Sequence, residues 1–166
     1  MGGKWKTLSG ERVDDILKWI EDNSTEGQEV HIGTDSLQTG RFTQFVTVVV
    51  ILKERGGGRV AYRREIVPKM ESLRERLTKE TWMSVELGIQ LNMLPTVHID
   101  ANRDERYAST KYIQELVGMV VGQGFNALWK PEAWAATHAA DHVVRHKGKL
   151  PKGVNRRSSE RLRKNR

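Results

Sequence analysis

The sequence predicts an α/β fold: three strands, then helices and strands in alternation, behind a separate N-terminal helix. Three observations carry this expectation. Segments 30–37, 42–52 and 59–67 are rich in Val, Ile and Thr and are separated by Gly-containing stretches, as antiparallel strands read. The stretch 69–92 places Leu73, Leu77, Ser84, Leu87 and Leu91 at helical spacing. Beyond it, short β-branched runs alternate with helical segments as far as residue 146, the order expected of strands joined by helical crossovers.

Each element has a local cause. Residues 1–7 carry no periodic pattern and are expected to be disordered. Ser9 is a plausible N-cap for an amphipathic helix running to about Asn23, with Val13, Ile16, Leu17 and Ile20 on one side. Asn23 to Gly27 is a polar loop. The first strand runs from Val30 to about Leu37 and the second from Phe42 to about Leu52. A turn at Glu54–Gly58 returns the chain along a third, Arg59 to about Val67, so the three form an antiparallel meander. Pro68 ends it, and Lys69 to about Asn92 is helical. Pro95 opens a fourth strand, Thr96–Asp100. Ala108 to about Gly122 is a second core helix, closed by Gly122 and Gly124. Phe125–Trp129 is the fifth strand. Pro131 at a first helical position, followed by Glu132, starts a last helix to about His146, which Gly148 and Pro151 stop. The expected organisation is an N-terminal helix and loop (1–27), a central domain (28–146) and a C-terminal tail (147–166), with no internal repeat.

Composition narrows the function. The 166 residues suit a single domain with short appendages. There is no cysteine, which excludes disulfides and thiolate metal sites. No run approaches the length of a membrane span and the N-terminus lacks a hydrophobic signal region. A cytoplasmic protein without a membrane partner is therefore expected. The net charge of +7 is uneven. Residues 147–166 hold nine Lys or Arg against Glu160, leaving the body 19 basic and 20 acidic residues, a net of −1. Such a tail reads either as a nucleic-acid arm, since phosphate neutralisation drives non-specific binding, or as a solvated terminus that aids solubility.

Four carboxylates carry the chemistry. Asp35 ends the apolar run Val30–Thr34, and Asp100 ends the run Val97–Ile99. Glu80 and Asp141 lie inside helical segments. Bringing such groups together is costly, because like charges repel and burial penalises ionised forms. A divalent cation removes that cost, and oxygen-only ligation suits Mg²⁺ or Mn²⁺. Two such ions make the usual clamp for phosphodiester displacement. The helix carboxylate is ambiguous: Glu80 and Glu86 share one helix but not one face, and Glu80 falls with Leu77, Ser84 and Leu87. Bland alternatives remain for each group. Thr34 and Ser36 could cap Asp35 in a turn, Arg145 could pair with Asp141, and Asn102 suits an Asx turn. His31 and His98 precede the strand aspartates as packing residues or hydrogen-bond donors to the ligands. His138, His142 and His146 recur every four residues, which suits an exposed helix face, a Zn²⁺ site or a proton shuttle. Lys111 and Lys130 could contact phosphate or be solvated.

Several stretches resemble the ribonuclease H-like superfamily, and within it the YkuK-like family. They are His31-Ile32-Gly33-Thr34-Asp35-Ser36, His98-Ile99-Asp100-Ala101-Asn102, Glu115–Val120, and Lys130-Pro131-Glu132-Ala133-Trp134-Ala135-Ala136 with Ala140-Asp141. The resemblance covers about residues 28–146. It implies a five-stranded mixed sheet of order 3-2-1-4-5 with helices on both faces. It also implies metal-binding and catalytic carboxylates at the places of Asp35, Glu80, Asp100 and Asp141. The activity implied is a nuclease that hydrolyses RNA, DNA or hybrid phosphodiesters with two Mg²⁺ or Mn²⁺ ions. The basic handle of some ribonucleases H is missing, as is a hybrid-binding domain, so hybrid specificity is not implied. Two rivals remain: a non-catalytic nucleic-acid-binding protein on this fold, and a Zn²⁺ hydrolase built on the His-rich helix.

Overall fold

In the computed structural model the described residues are 3–25, 27–53 and 58–135. The predicted meander forms as β3 (Val30–Thr39), β4 (Phe42–Leu52) and β5 (Gly58–Pro68), each antiparallel to the next. The β3–β4 loop is Gly40-Arg41, closed by the pair Thr39–Phe42. Gly40 has φ +57° and Arg41 does not enter the left-handed region, the pattern of a type II′ turn. Helix α2 (Leu73–Gln90) follows, capped by the Ser72 side chain accepting from the Glu75 N–H. Strand β6 (Thr96–Asn102) returns parallel to β3, and β7 (Asn126–Lys130) lies parallel to β6. Between them a single 3₁₀ turn (Thr110–Tyr112) leads into α3 (Ile113–Val121). The core strands thus lie in the order β5-β4-β3-β6-β7, the expected 3-2-1-4-5.

The N-terminus departs from expectation. Residues 5–7 are not disordered but form β1 (Trp5–Thr7), which pairs with β2 (Arg12–Val13) and with β5. Among the described residues the sheet therefore has seven strands rather than five. The cause is apolar: Trp5, Val13 and Ile20 are buried in one cluster with Val30, Ile32, Val49 and Ile51. The first helix, α1 (Ile16–Asn23), starts later than Ser9 would place it, because Asp15 accepts from the Leu17 and Lys18 N–H groups. At the other end, residues 131 and 132 form a turn rather than a first helical turn. The remainder of the predicted last helix, Asp141, His138, His142, His146 and the basic tail lie outside the described residues.

Alternation assigns the two sheet faces. Val30, Ile32 and Thr34 of β3 share one face with Val97, Ile99 and Ala101 of β6, packed against α1, α2 and α3. Gly88 lets α2 approach closely, since a Cβ there would meet Phe125 Cε2 at 2.8 Å. The opposite face carries His31 and Asp35 of β3, His98 and Asp100 of β6, and Val46, Val48 and Val50 beneath Trp134 and Ala135. No helix among the described residues is long and apolar enough to cross a membrane.

Candidate metal centre

Pairing between β3 and β6 runs over His31–Thr96, Ile32–Val97 and Gly33–His98 and then ends. Two residues further along each strand, on the same face, stand Asp35 and Asp100. Asp35, which ends the apolar run, is therefore not at the end of its strand. It sits inside a ten-residue strand, opposite Val46, with Oδ1 accepting from the Ser36 N–H at 2.7 Å. Asp100 lies within a register irregularity: Ile99 pairs with Trp129 and Asn102 with Lys130, so Asp100 and Ala101 fall where the β6–β7 register shifts. Irregularities of this kind re-aim side chains and are enriched beside active sites.

Glu80 comes from α2, which packs against the other face of the sheet. Three hydroxyls set its height. Thr34 Oγ1 lies 3.0 Å from Thr47 Oγ1 and 2.8 Å from Ser84 Oγ. Thr34 is the neighbour of Asp35, and Ser84 stands one helical turn beyond Glu80, so this contact fixes Glu80 relative to Asp35. One carboxylate oxygen from each of Asp35, Glu80 and Asp100 lies within 4.8 Å of the others. Glu80 is buried, whereas Glu86 is exposed on the same helix. Of the two, Glu80 is the one that lies beside Asp35 and Asp100, on the side its helical phase suggested. The three acids are hard oxygen donors, half-buried or buried, and close enough for one cation to touch all three. They fit Mg²⁺ or Mn²⁺.

The surroundings add three features. Lys130 Nζ forms an ion pair with Asp100 Oδ1. The sequence allows Lys130 either phosphate contact or solvent; its partner is the aspartate itself. Asn102 forms the expected Asx turn, its Oδ1 accepting from the Asp104 N–H at 3.0 Å. Lys111 lies over the Tyr112 ring, its Nζ 5.0 Å from the centroid.

Behind the acids, His31 and His98 form a buried pair. Nδ1 of His98 faces the Trp134 and Ala135 N–H groups at 3.0 and 3.3 Å and must accept. Its proton is therefore on Nε2, donated to His31 Nδ1 at 2.9 Å. His31 Nε2 in turn donates to Glu29 Oε2 at 3.0 Å. Burial, and then the neighbouring His31, push the His98 pKa down to about 3, which keeps that imidazole neutral. Trp134 packs on both rings with centroids 4.9 Å apart. The histidines thus order the chain segment that follows β7. They serve packing, one of the two roles their positions suggested.

No curated protein and no solved structure gives a significant match to this chain. The Ribonuclease H-like family model, in contrast, matches residues 11–145, from just before α1 to beyond the described residues. A mixed sheet with its core strands in this order, three acids gathered at the parting of β3 and β6, and that match over most of the sequence place the chain in the ribonuclease H-like family.

Proposed function

We propose that this protein is a divalent-metal-dependent nuclease that hydrolyses phosphodiester bonds in nucleic acid. The observation that supports the reading best is the convergence of Asp35, Glu80 and Asp100 within 4.8 Å from two strands and a helix. Without a cation the cluster would concentrate negative charge in a partly buried place, a cost that folding alone does not reward. Asp35 and Asp100 would be the principal ligands, and Glu80 would close the site from the helix side. Asp141, by its place in the sequence, would supply a fourth carboxylate. Bound Mg²⁺ or Mn²⁺, as one or two ions, would supply an activated water and stabilise the leaving oxygen. The protein's own part is positional. The Thr34–Ser84 contact holds the helix carboxylate in register, and the irregularity in β6 aims Asp100. The basic residues of 147–166 would hold the phosphate backbone.

The test is a cleavage panel of labelled single-stranded RNA, duplex RNA, hybrid, single-stranded DNA, duplex DNA and branched junctions, with Mg²⁺, Mn²⁺ or chelator. The reading expects at least one substrate to be cut with metal and none with chelator. Cleavage that persists in chelator, or no cleavage of any substrate by folded protein, rejects it.

A further inference from the structure

We infer that Lys130 is the resident counter-cation of the carboxylate cluster: its ammonium holds the Asp100 carboxylate through Oδ1 until a divalent cation draws on that carboxylate, so lysine and metal compete for one residue. The inference rests on the metal-site reading above and adds to it a residue that sets metal affinity.

The geometry begins with the sheet. Lys130 is the last residue of β7 and pairs with Asn102, while Trp129 pairs with Ile99. The register shift across Asp100 and Ala101 brings Asp100 beside Lys130, outside the regular ladder. The contact is withdrawn from water: the Lys130 side chain is 22% exposed and that of Asp100 5%. The ion pairs Arg12–Asp14 and Lys69–Glu71 are far more exposed, at 62%/75% and 38%/77%. A shielded pair is screened less and couples more strongly than a surface pair.

The charge balance gives the pair a purpose. Three carboxylates lie within 4.8 Å, and one ammonium offsets one of their charges. A cation that binds all three draws on a carboxylate that Lys130 already engages. Lysine suits such an exchange better than arginine, being a compact charge on a flexible four-carbon stem. The ammonium can withdraw while β7 stays in the sheet. It then stands beside the site, where a substrate phosphate would meet it.

The experiment uses the full-length protein, its Lys130→Met and Lys130→Gln variants, and Arg103→Met as a control. Arg103 is a cation three residues beyond Asp100 that stacks on Trp129 at 4.7 Å. Mn²⁺ affinity is read by calorimetry and thermal unfolding is followed in chelator. Both Lys130 variants are expected to bind Mn²⁺ about tenfold more tightly, within the range typical of coupling between two ligands. They should also melt a few degrees lower in chelator. Arg103→Met, which changes net charge equally, should alter affinity less than about threefold, the scale of a screened charge outside direct contact. Lys130 variants that bind Mn²⁺ no more tightly than Arg103→Met, or more weakly, overturn the inference. If wild type and all variants bind no Mn²⁺, the metal reading fails and the competition with it. A double-variant cycle of Lys130→Met with Asp100→Asn in chelator reads the ion pair separately. Additive losses there would mean that the two residues do not pair.

Discussion

Replacing Glu80 by Gln should stabilise this protein in chelator and destroy its response to metal. The side chain is 2% exposed, and its carboxylate lies within 4.8 Å of those of Asp35 and Asp100. Two unit charges at that separation repel by about 3.5 kcal/mol at an effective dielectric near 20. Glu80 faces two such partners, but the ammonium of Lys130 and solvent screening offset most of the sum. A net relief of about 1–2 kcal/mol is expected at neutral pH. For a chain of this size each kcal/mol moves Tm by about 2–4 °C, so the melting temperature should rise by roughly 2–8 °C. With saturating Mn²⁺ the order should reverse. Wild type gains about 2.7 kcal/mol when the ion stands at 100 times its Kd, whereas Glu80→Gln gains little. Differential scanning calorimetry with and without Mn²⁺ reads both effects, and Glu86→Gln, on the exposed face, should behave as wild type. A Glu80→Gln protein that melts lower in chelator and is still stabilised by Mn²⁺ would mean that Glu80 neither repels the aspartates nor holds the cation.

Three further outcomes are expected. Thr34→Val and Ser84→Ala should each cost about 1 kcal/mol, and together less than the sum, because they share one buried hydroxyl contact; additive losses in urea unfolding would count against that contact. The His98 pKa lies at about 3 in the folded protein and near 6.5 in the unfolded chain. Between these values only the unfolded chain holds the proton, so this stability is complete above the unfolded pKa and is lost as pH falls toward the folded one, by up to about 1.4 kcal/mol per pH unit. His98→Gln should make that slope shallower by about one proton, and an unchanged slope would show that the imidazole is not buried neutral. Truncation after His146 removes nine basic residues and one acidic; nucleic-acid affinity should fall and its salt dependence flatten by about 0.9 in log–log slope for each duplex-DNA phosphate no longer neutralised, whereas an unchanged slope would leave the tail a solubility role.

How much of the fold and the site is legible in the sequence depends on the range of the forces involved. The core strands and their order follow from β-branched runs and from the family motifs. Asp35, Glu80 and Asp100 can be named because alternation and helical phase are local rules. Helical phase alone separates Glu80 from Glu86. The hairpin of β1 and β2 is not legible, because strands of three and two residues have no period to read. Its formation depends on Trp5 finding a pocket assembled from β3, β4 and α1. The partner of Lys130 is hidden for a similar reason. It depends on a two-residue irregularity in the β6–β7 register, and nothing in the local sequence announces one. The hydroxyl contact of Thr34 with Ser84 spans 50 residues. The signal for it is only that a small polar residue stands among the leucines of α2. The start of α1 moves from Ser9 to Asp15 because several residues in that region could cap a helix, and the packing of Trp5 and Val13 decides between them.

In the proposed site, Asp35, Glu80 and Asp100 together hold a divalent cation. Anomalous diffraction from crystals grown with Mn²⁺ tests it most directly. An anomalous peak is expected with oxygens of all three residues at about 2.0–2.3 Å, the range of hard-cation ligation, and with the Lys130 ammonium displaced from Asp100. A fully occupied Mn²⁺ bound elsewhere, with Lys130 still paired to Asp100, would contradict it.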